Sequence, residues 1–348
     1  MTNPYAAKPP QHFWKLAVGE QPVDGVRPVP ANHFRLKATD VIATAGSCFA
    51  QHVSAHLKAR ELVRLLETES AEAGQPVFSA RYGNIYTARQ LVQLMEEALG
   101  GRRPANIAWK RADGTYVDAL RPSMFPKGLA DPIAVEQART PHRTAVRALL
   151  TECTVFIFTL GLTEAWRSRR DDTVYPLAPG VMAEPVEPTE FEFHNFTYEE
   201  VSGDLEQFVT TMKEINPGIR IILTVSPVPL TATFGDEHVL VATTHSKAIL
   251  RAVCSAITSR HPEVYYFPSY EIITGNFTRG CYFEENLRTI SQEGVAHVMR
   301  VFDETYGLAP RPDVTEPQSV PTKPQTLFSE KVASVICDEP EIVKSIGF

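Results

Sequence analysis

A glycine, a serine and a cysteine stand in a row at positions 46–48, directly after the apolar run 41–45. The run predicts a buried β-strand, and a helix is expected to begin near Ser47. Glycine permits a tight strand-to-helix turn, and the N–H groups at a helix N-terminus stabilise a thiolate or an oxyanion. Cys48 or Ser47 would therefore be a nucleophile with an oxyanion site beside it. The same residues would equally serve as an ordinary turn, with a helix-capping Ser47 and a buried Cys48.

Small, hydroxyl or acidic residues also follow three further predicted strands. They are Gly161, Thr163 and Glu164 after strand 155–160, Ser226 after strand 219–225 and Ser269 after strand 264–267. Parallel sheets bind ligands at the carboxyl ends of their strands. We therefore expect these residues and the turn at 46–48 to meet at one edge of the sheet.

The elements that would position these residues form an alternating pattern. The predicted strands are 41–45, 62–66, 155–160, 219–225 and 264–267, and the predicted helices are 134–150, 198–215, 246–259 and a last helix capped by Ser291 and ended by Gly307. Continuous apolar strands separated by helices are typical of a parallel sheet covered on both faces. The sequence predicts an α/β three-layer sandwich with a five-stranded, mainly parallel, doubly wound sheet.

Proline-rich segments mark the two ends of the chain. Six of the 27 prolines fall in the first 30 residues. We expect an extended arm at 1–34, an α/β domain at 35–307, and a linker with an apolar tail at 308–348. A further stretch at 167–196 is predicted to be long, irregular and placed over a site.

Composition excludes several classes of protein. The chain has 348 residues, 34 Lys+Arg and 41 Asp+Glu, for a formal net charge of −7. This balance argues against a general affinity for nucleic acid or anionic membranes. No apolar run is long enough to span a membrane, and no secretion signal precedes the first strand, which favours a cytoplasmic location. Oligomeric state is left open, with a homo-oligomer allowed.

The five cysteines, at 48, 153, 254, 281 and 337, are widely separated. Their spacing favours neither a disulfide framework nor a zinc site, so no metal is predicted. All except Cys48 are expected to be small buried packing residues.

The sequence resembles the GSCFA family, a group among the SGNH/GDSL-like hydrolases. The resemblance lies in Gly46-Ser47-Cys48-Phe49-Ala50, and in blocks at 82–86, 158–166, 226–230 and 266–271. It implies a flavodoxin-like SGNH fold and acyl-ester chemistry. In SGNH enzymes the first block is Gly-Asp-Ser with serine as the nucleophile. A gap-free match places Cys48 at the nucleophile, and a shift by one residue would place Ser47 there.

The remaining blocks imply a set of oxyanion donors. Gly83 matches the second-block glycine whose N–H faces the oxyanion, and Gly161 and Thr163 match the third block, Gly-x-Asn-Asp. Thr163 stands where that block has its asparagine, and Asn84 is a substitute donor. The last block, Asp-x-x-His, has no histidine here, because Arg288 or Thr289 occupies its place.

The general base is therefore open. Arginine cannot act as a base at neutral pH, although Arg288 can hold an anionic substrate. His52 lies one turn after Cys48, His194 lies in the segment expected to cover the site, and Glu164 can orient or deprotonate a group.

Three functional hypotheses follow, of which the third is an enzyme of another class that binds a phosphorylated or CoA-linked substrate at the strand ends. The first is an esterase or acyltransferase acting on an acylated saccharide or related small molecule, with no required cofactor and with acyl-CoA considered as a co-substrate. The second is a non-catalytic module that binds a glycan or small molecule on the same fold and has lost the base.

Overall fold

The computed structural model describes residues 3–30, 33–60, 62–69, 78–184, 187–308 and 340–345. The strands are β1 (Val41–Gly46), β2 (Arg64–Leu65), β3 (Ala108–Lys110), β4 (Tyr116–Asp118), β5 (Val155–Leu160), β6 (Glu164–Ser168), β7 (Val174–Tyr175), β8 (Phe191–Asn195), β9 (Arg220–Val225) and β10 (Val264–Tyr266). The helices are α1 (Ala50–Lys58), α2 (Ala88–Leu99), α3 (Pro132–Glu152), α4 (Tyr198–Ile215), α5 (Val239–Arg260), α6 (Ser269–Thr274), α7 (Gln292–Tyr306) and α8 (Pro340–Ser345).

The central sheet has five strands in the order β10-β9-β5-β1-β2. Every pairing in it is parallel, with Ile42 opposite Val155 and Val155 opposite Arg220. Continuous apolar runs form these strands because both of their faces are buried. The predicted α/β fold with five parallel strands is confirmed, although β2 is shorter than the predicted strand.

Alternate residues of the central strands face two separate apolar cores, since neighbouring side chains in a strand point to opposite sides. Phe156 and Phe158 of β5 pack with residues of α2, α3, α4 and α5. Val155 and Ile157 pack on the other side with residues of α1, α6 and α7. The molecule is therefore a three-layer sandwich, as predicted.

The segment at 167–196 differs from the sequence-based expectation. It belongs to a three-stranded antiparallel sheet in the order β7-β6-β8, in which Trp166 lies opposite Tyr175 and Phe193. The prediction of an irregular stretch was wrong for the residues that form β6, β7 and β8, whereas the described residues between β7 and β8, where the prolines lie, contain no strand. A β3-β4 hairpin packs beside it through Trp109, whose ring lies 4.8 Å from that of Tyr175.

The helix boundaries and the burial of the cysteines agree with the predictions at some positions and differ at others. Helix α4 begins and ends as predicted, and Ser291 and Gly307 cap α7. Helix α1 begins at Ala50, three residues later than expected, and α5 begins at Val239, seven residues earlier. Cys153 and Cys254 are buried, but the prediction was wrong for Cys281, which is exposed on the turn before α7. Cys337 lies outside the described residues.

The start of the chain is described over most of its length, whereas little of the tail is described. The start of the chain forms three short helical turns, at 10–12, 15–19 and 23–25, and Val26 is buried against the domain. There the carbonyl of Val26 lies 2.9 Å from Nε2 of His297 on α7. Of the tail, only α8 is described. In the described part of the chain, no helix combines the length and apolarity needed to cross a membrane.

Candidate functional site

The turn after β1 is held tightly against β5. Gly46 has φ +141°, and a Cβ at this position would lie 2.5 Å from the carbonyl oxygen of Thr159. Only glycine fits there. The N–H of Ser47 then donates to that same carbonyl at 3.0 Å. This contact fixes where the Ser47 and Cys48 side chains leave the sheet.

A short segment before α2 closes the other side of the turn. The N–H of Ile85 donates to the Gly46 carbonyl at 2.8 Å, and the N–H groups of Gly161 and Leu162 donate to the Tyr86 carbonyl. Three separate parts of the chain are thus bonded to one another at the carboxyl ends of β1 and β5.

These parts surround a small pocket of about 210 Å³, counted out to its open mouth, which we call the strand-end pocket. Its lining residues are Ser47, Cys48, Tyr86, Gly161, Leu162, Ser226, Val228, Pro229, Leu230 and Lys247. The pocket lies where a parallel sheet is expected to bind its ligand. Of the residues predicted for the site, the structure brings Ser47, Cys48 and Gly161 together here.

The two candidate nucleophiles are both buried in the wall of this pocket. Ser47 is 1% exposed and Cys48 is 5% exposed. Within the described residues, the hydroxyl of Ser47 has no hydrogen-bond partner. A buried hydroxyl without a partner costs about 1–3 kcal/mol. Such a group is a candidate to contact a bound substrate or water.

Lys247 is the functional candidate that the sequence analysis missed. It lies on α5, is 2% exposed, and its Nζ donates to the carbonyl of Gly161. Its neighbour Ser246 accepts a hydrogen bond from the N–H of Thr163 at 3.0 Å, which ties α5 to the end of β5. One signal was available, because Lys247 stands one turn before Leu250 on the buried stripe of its helix.

Two predicted histidines lie outside the lining of the strand-end pocket. His52 packs on α1 with its ring 5.4 Å from that of Phe49, and burial lowers its pKa to about 4. His194 lies on β8, where its Nε2 is 2.8 Å from a carboxylate oxygen of Glu200. In the described part of the chain, no histidine lines this pocket.

The side chains of Thr163 and Glu164 are hydrogen-bonded to the end of β8 and to the loop before α5. The hydroxyl of Thr163 donates to the side-chain oxygen of Asn195 at 2.7 Å. Glu164 accepts a hydrogen bond from Thr233 at 2.7 Å, and burial raises the pKa of its carboxyl. Glu164 therefore anchors the loop between β9 and α5, which also supplies four residues to the pocket.

Gly83, Asn84 and Arg288 do not line the strand-end pocket. Gly83 has φ +71° and lies beside Ser123, and Asn84 accepts a hydrogen bond from the side chain of Gln51 at 3.2 Å. Arg288 donates from Nε to the carbonyl of Pro229 at 3.2 Å, so it supports the rim. Their roles in an oxyanion or substrate site stay predictions.

The described residues contain no group of three or more His, Cys, Asp or Glu side chains arranged to hold a metal ion. The side chains that line the strand-end pocket supply a thiol, hydroxyls and an ammonium or amine, and the turn supplies backbone N–H groups. These are the groups of acyl transfer.

Comparison with solved structures gives distant likenesses. One is described as a GDSL-like lipase from Parabacteroides merdae, at 13% identity and a TM-score of 0.32, covering 80% of this chain and 100% of that chain. An acetyl esterase mutant with acetate ion gives 13% identity and a TM-score of 0.29, covering 78% and 100%. A carbohydrate esterase family 3 protein from Talaromyces cellulolyticus gives 13% and 0.30, covering 76% and 95%. At these TM-scores the likenesses support no argument about activity.

No curated protein matches the chain. The model of the GSCFA family, in contrast, matches residues 41–302. This match runs from the first residue of β1 into α7 and includes all of the strands and the whole lining of the strand-end pocket. The chain belongs to the GSCFA family.

Proposed function

We propose that this protein is an esterase or acyltransferase that forms an acyl-enzyme intermediate on Cys48. The observation that carries the proposal is that Cys48, Ser47 and Lys247 line one pocket at the carboxyl ends of the parallel strands. A nucleophile, a proton carrier and a strand-to-helix turn within one small cavity are the parts that acyl transfer needs.

In the first step, Sγ of Cys48 bonds to the acyl carbonyl carbon of an ester, and the thiol proton passes to the Nζ of Lys247 in its amine form. Backbone N–H groups of the turn before α1 stabilise the oxyanion. The C–O bond of the ester then breaks, and the leaving alkoxide takes the proton from Lys247. This leaves a thioester on Cys48 and a free alcohol.

In the second step, water or a second alcohol attacks the thioester carbonyl. Lys247 accepts the proton of the attacking group, and the carbon–sulfur bond breaks. The departing thiolate takes that proton back, which restores the resting enzyme. Water as the attacking group gives hydrolysis, and an alcohol gives acyl transfer.

The dimensions of the pocket favour a short acyl group. About 210 Å³ counted out to the mouth leaves room beside Cys48 for a group the size of an acetyl. Beyond the rim, Phe234 is 65% exposed and packs with the rings of Trp166 and Phe193 at 4.7 and 5.3 Å. An aromatic surface of this kind suits the face of a sugar ring. An O-acylated saccharide or a related small molecule is therefore the substrate we propose.

The test is hydrolysis of a chromogenic acetate ester and of an acetylated monosaccharide by the full chain. We expect Cys48→Ala to lower kcat/KM by about a thousandfold, since the nucleophile is lost. Cys281→Ala is the matched control, because it removes an exposed thiol far along the chain, and it should keep full activity. Saturable binding of the acetylated sugar without turnover would instead support a binding module. Acetyl-CoA as donor, with the free sugar as acceptor, tests transfer.

A further inference from the structure

A second cavity lies on the other side of the segment that closes the strand-end pocket. Asn84 and Ile85 line this cavity, whereas the next residue, Tyr86, lines the strand-end pocket. The second cavity measures about 470 Å³ out to its mouth and is bounded by α2, α3 and the start of β7.

The charged side chains of this cavity wall are neutralised by one another. Arg139 bonds to Glu97 and, at 3.0 Å, to Asp118, and Arg121 bonds to Asp118 at 2.8 Å. Burial would raise the pKa of Asp118, but the two arginines hold it below its ordinary value. Arg102, the further charged residue of the lining, lies 3.9 Å from a carboxylate oxygen of Glu96. Each arginine of the wall thus has a carboxylate nearby, which disfavours binding of a further anion.

His142 carries the first of two buried side-chain nitrogens in this wall that have no hydrogen-bond partner among the described residues. It is fully buried, with 0% exposure, and its Nδ1 lies 2.5 Å from a carboxylate oxygen of Glu69. Burial alone would raise the pKa of Glu69, but the contact with His142 and a backbone N–H lower it, so this carboxylate is ionised and only accepts. The proton of the imidazole is therefore on Nδ1.

The other ring nitrogen of His142 is then a bare acceptor. Burial lowers the pKa of His142 to about 4, so the ring is neutral near pH 7. Nε2 is buried, and it has no hydrogen-bond partner among the residues that the structure describes. Because the ring lines the cavity, this lone pair requires a donor from whatever occupies that space.

Arg102 lines the same cavity and has a donor where His142 has an acceptor. One terminal nitrogen donates to the carbonyl of Asp171 at 2.6 Å and to the hydroxyl of Thr173 at 3.2 Å. Its Nε is buried, and in the described ranges it has no partner. This N–H requires an acceptor.

We propose that this second cavity is a binding site for a small uncharged polyol the size of glycerol, whose hydroxyl groups donate to Nε2 of His142 and accept from Nε of Arg102. A hydroxyl is both a donor and an acceptor, so a single class of ligand meets both needs. A carboxylate would meet Arg102 but would place an acceptor against the bare nitrogen of His142. A phosphate retains a hydroxyl that could donate, but it would bring uncompensated negative charge against a wall whose buried charges are already paired. The apolar part of the wall, including Leu94, Pro104 and Val174, suits the C–H face of such a ligand.

The experiment is calorimetric titration of the full chain with glycerol, with methyl glucoside and, separately, with acetate and phosphate. We expect saturable binding of at least one polyol and none of either anion. Arg102→Met should weaken polyol binding by about tenfold, the loss expected for one hydrogen bond from a charged group. Arg103→Met is the matched control, because its exposed side chain does not line the cavity, and it should bind as the wild type does.

Two further variants test the role of His142 and the independence of this cavity from Cys48. His142→Phe, checked for folding by circular dichroism, should also weaken polyol binding, because a phenyl ring keeps the approximate shape of the imidazole and has no nitrogen acceptor. Cys48→Ala should leave binding unchanged, which separates this site from the proposed acyl-transfer reaction. The proposal is overturned if no polyol binds saturably and the cavity holds only water, if the anions bind, or if Arg102→Met and Arg103→Met bind equally.

Discussion

The strand-end pocket differs from the buried ion pairs around Arg139 of α3 in whether its buried polar groups have partners. In the ion-pair cluster, defined by Glu97, Asp118, Arg121 and Arg139, each charged side chain has at least one partner of opposite charge. In the strand-end pocket, the hydroxyl of Ser47 is as deeply buried but has no partner within the described part of the chain.

Buried polar groups therefore have two different roles in this protein, one structural and one available to a ligand or a reaction. Buried charges that are completely paired fix the positions of helices and hairpins, and removing one of them leaves the rest uncompensated. A buried polar group that is left incomplete costs stability and persists where a ligand or a reaction uses it. Mutations in the cluster should therefore change stability more than activity, and mutations in the pocket should do the reverse.

The largest effect is expected at Lys247. Lys247→Met removes the proposed proton carrier and should lower kcat/KM for an acetate ester by about 10²–10⁴, the range for general acid–base groups. Unfolding by urea should change by little more than the loss of one hydrogen bond to Gly161. Lys127→Met, an exposed lysine, is the control and should change neither quantity. Full activity of Lys247→Met would remove the lysine from the mechanism.

The position of Lys247 in the pocket is also the feature of the site that could not be predicted from the sequence. The apolar strands and the capped helix α7 could be predicted because local patterns determine them. The contact between Lys247 and Gly161 joins residues 86 positions apart, and it depends on how α5 crosses the sheet. A lysine is ordinarily read as a surface residue. The candidate base was therefore sought among histidines, none of which lines the pocket in the described ranges.

The second effect lies in the ion-pair cluster. Arg139→Met leaves Glu97 and Asp118 buried without their shared partner and should lower the free energy of unfolding by about 3–5 kcal/mol. Arg147→Met on the same helix is the control, because Arg147 is exposed and its loss should cost less than about 1 kcal/mol. Denaturant unfolding measures both. Equal losses in the two variants would contradict the claim that the buried ion pairs contribute more to stability than an exposed arginine does.

This cluster could not be found in the sequence, although each member is a common residue. Its charges come from α2, β4, the turn after β4 and α3, and only the packed structure brings them within 3 Å. The antiparallel sheet β7-β6-β8 was missed for a related reason. Its strands are short and partly exposed, so they lack the continuous apolar pattern of β5.

The third effect is a pH dependence of stability that arises beside the cluster. Burial holds the pKa of His142 at about 4, whereas the ring titrates near ~6.5 in an unfolded chain. The unfolded chain therefore takes up its proton first as the pH falls, so this contribution is complete above pH ~6.5 and is lost towards pH ~4, by about 3 kcal/mol at most.

Urea unfolding at several pH values in that window measures this loss, and His142→Gln should make it smaller. The loss should not vanish in the variant, because burial also lowers the pKa values of His52 and His297 to about 4. An unchanged pH dependence in His142→Gln would show that His142 is not neutral and buried as described.

The smallest effect returns to the pocket through Gly161. A Cβ at Gly161 would lie 3.0 Å from Cβ of Ser47 and 3.1 Å from the ring of Tyr86, so Gly161→Ala must displace the pocket wall. We expect a loss of about 1–3 kcal/mol in stability and a fall of about tenfold in kcat/KM. Gly203→Ala on α4 meets nothing within 4 Å and should stabilise the protein by about 0.5–1 kcal/mol without changing activity. Matching behaviour of the two alanine variants would contradict this account of the pocket.

The central claim is that Cys48 carries the acyl group. The most direct measurement is intact-protein mass spectrometry after brief exposure to an activated acetate ester, followed by peptide mapping. The account predicts one acetyl adduct on Cys48 in the wild type and in Ser47→Ala, and none at this turn in Cys48→Ala. An adduct on Ser47, or one that persists in Cys48→Ala and Ser47→Ala alike, would contradict it.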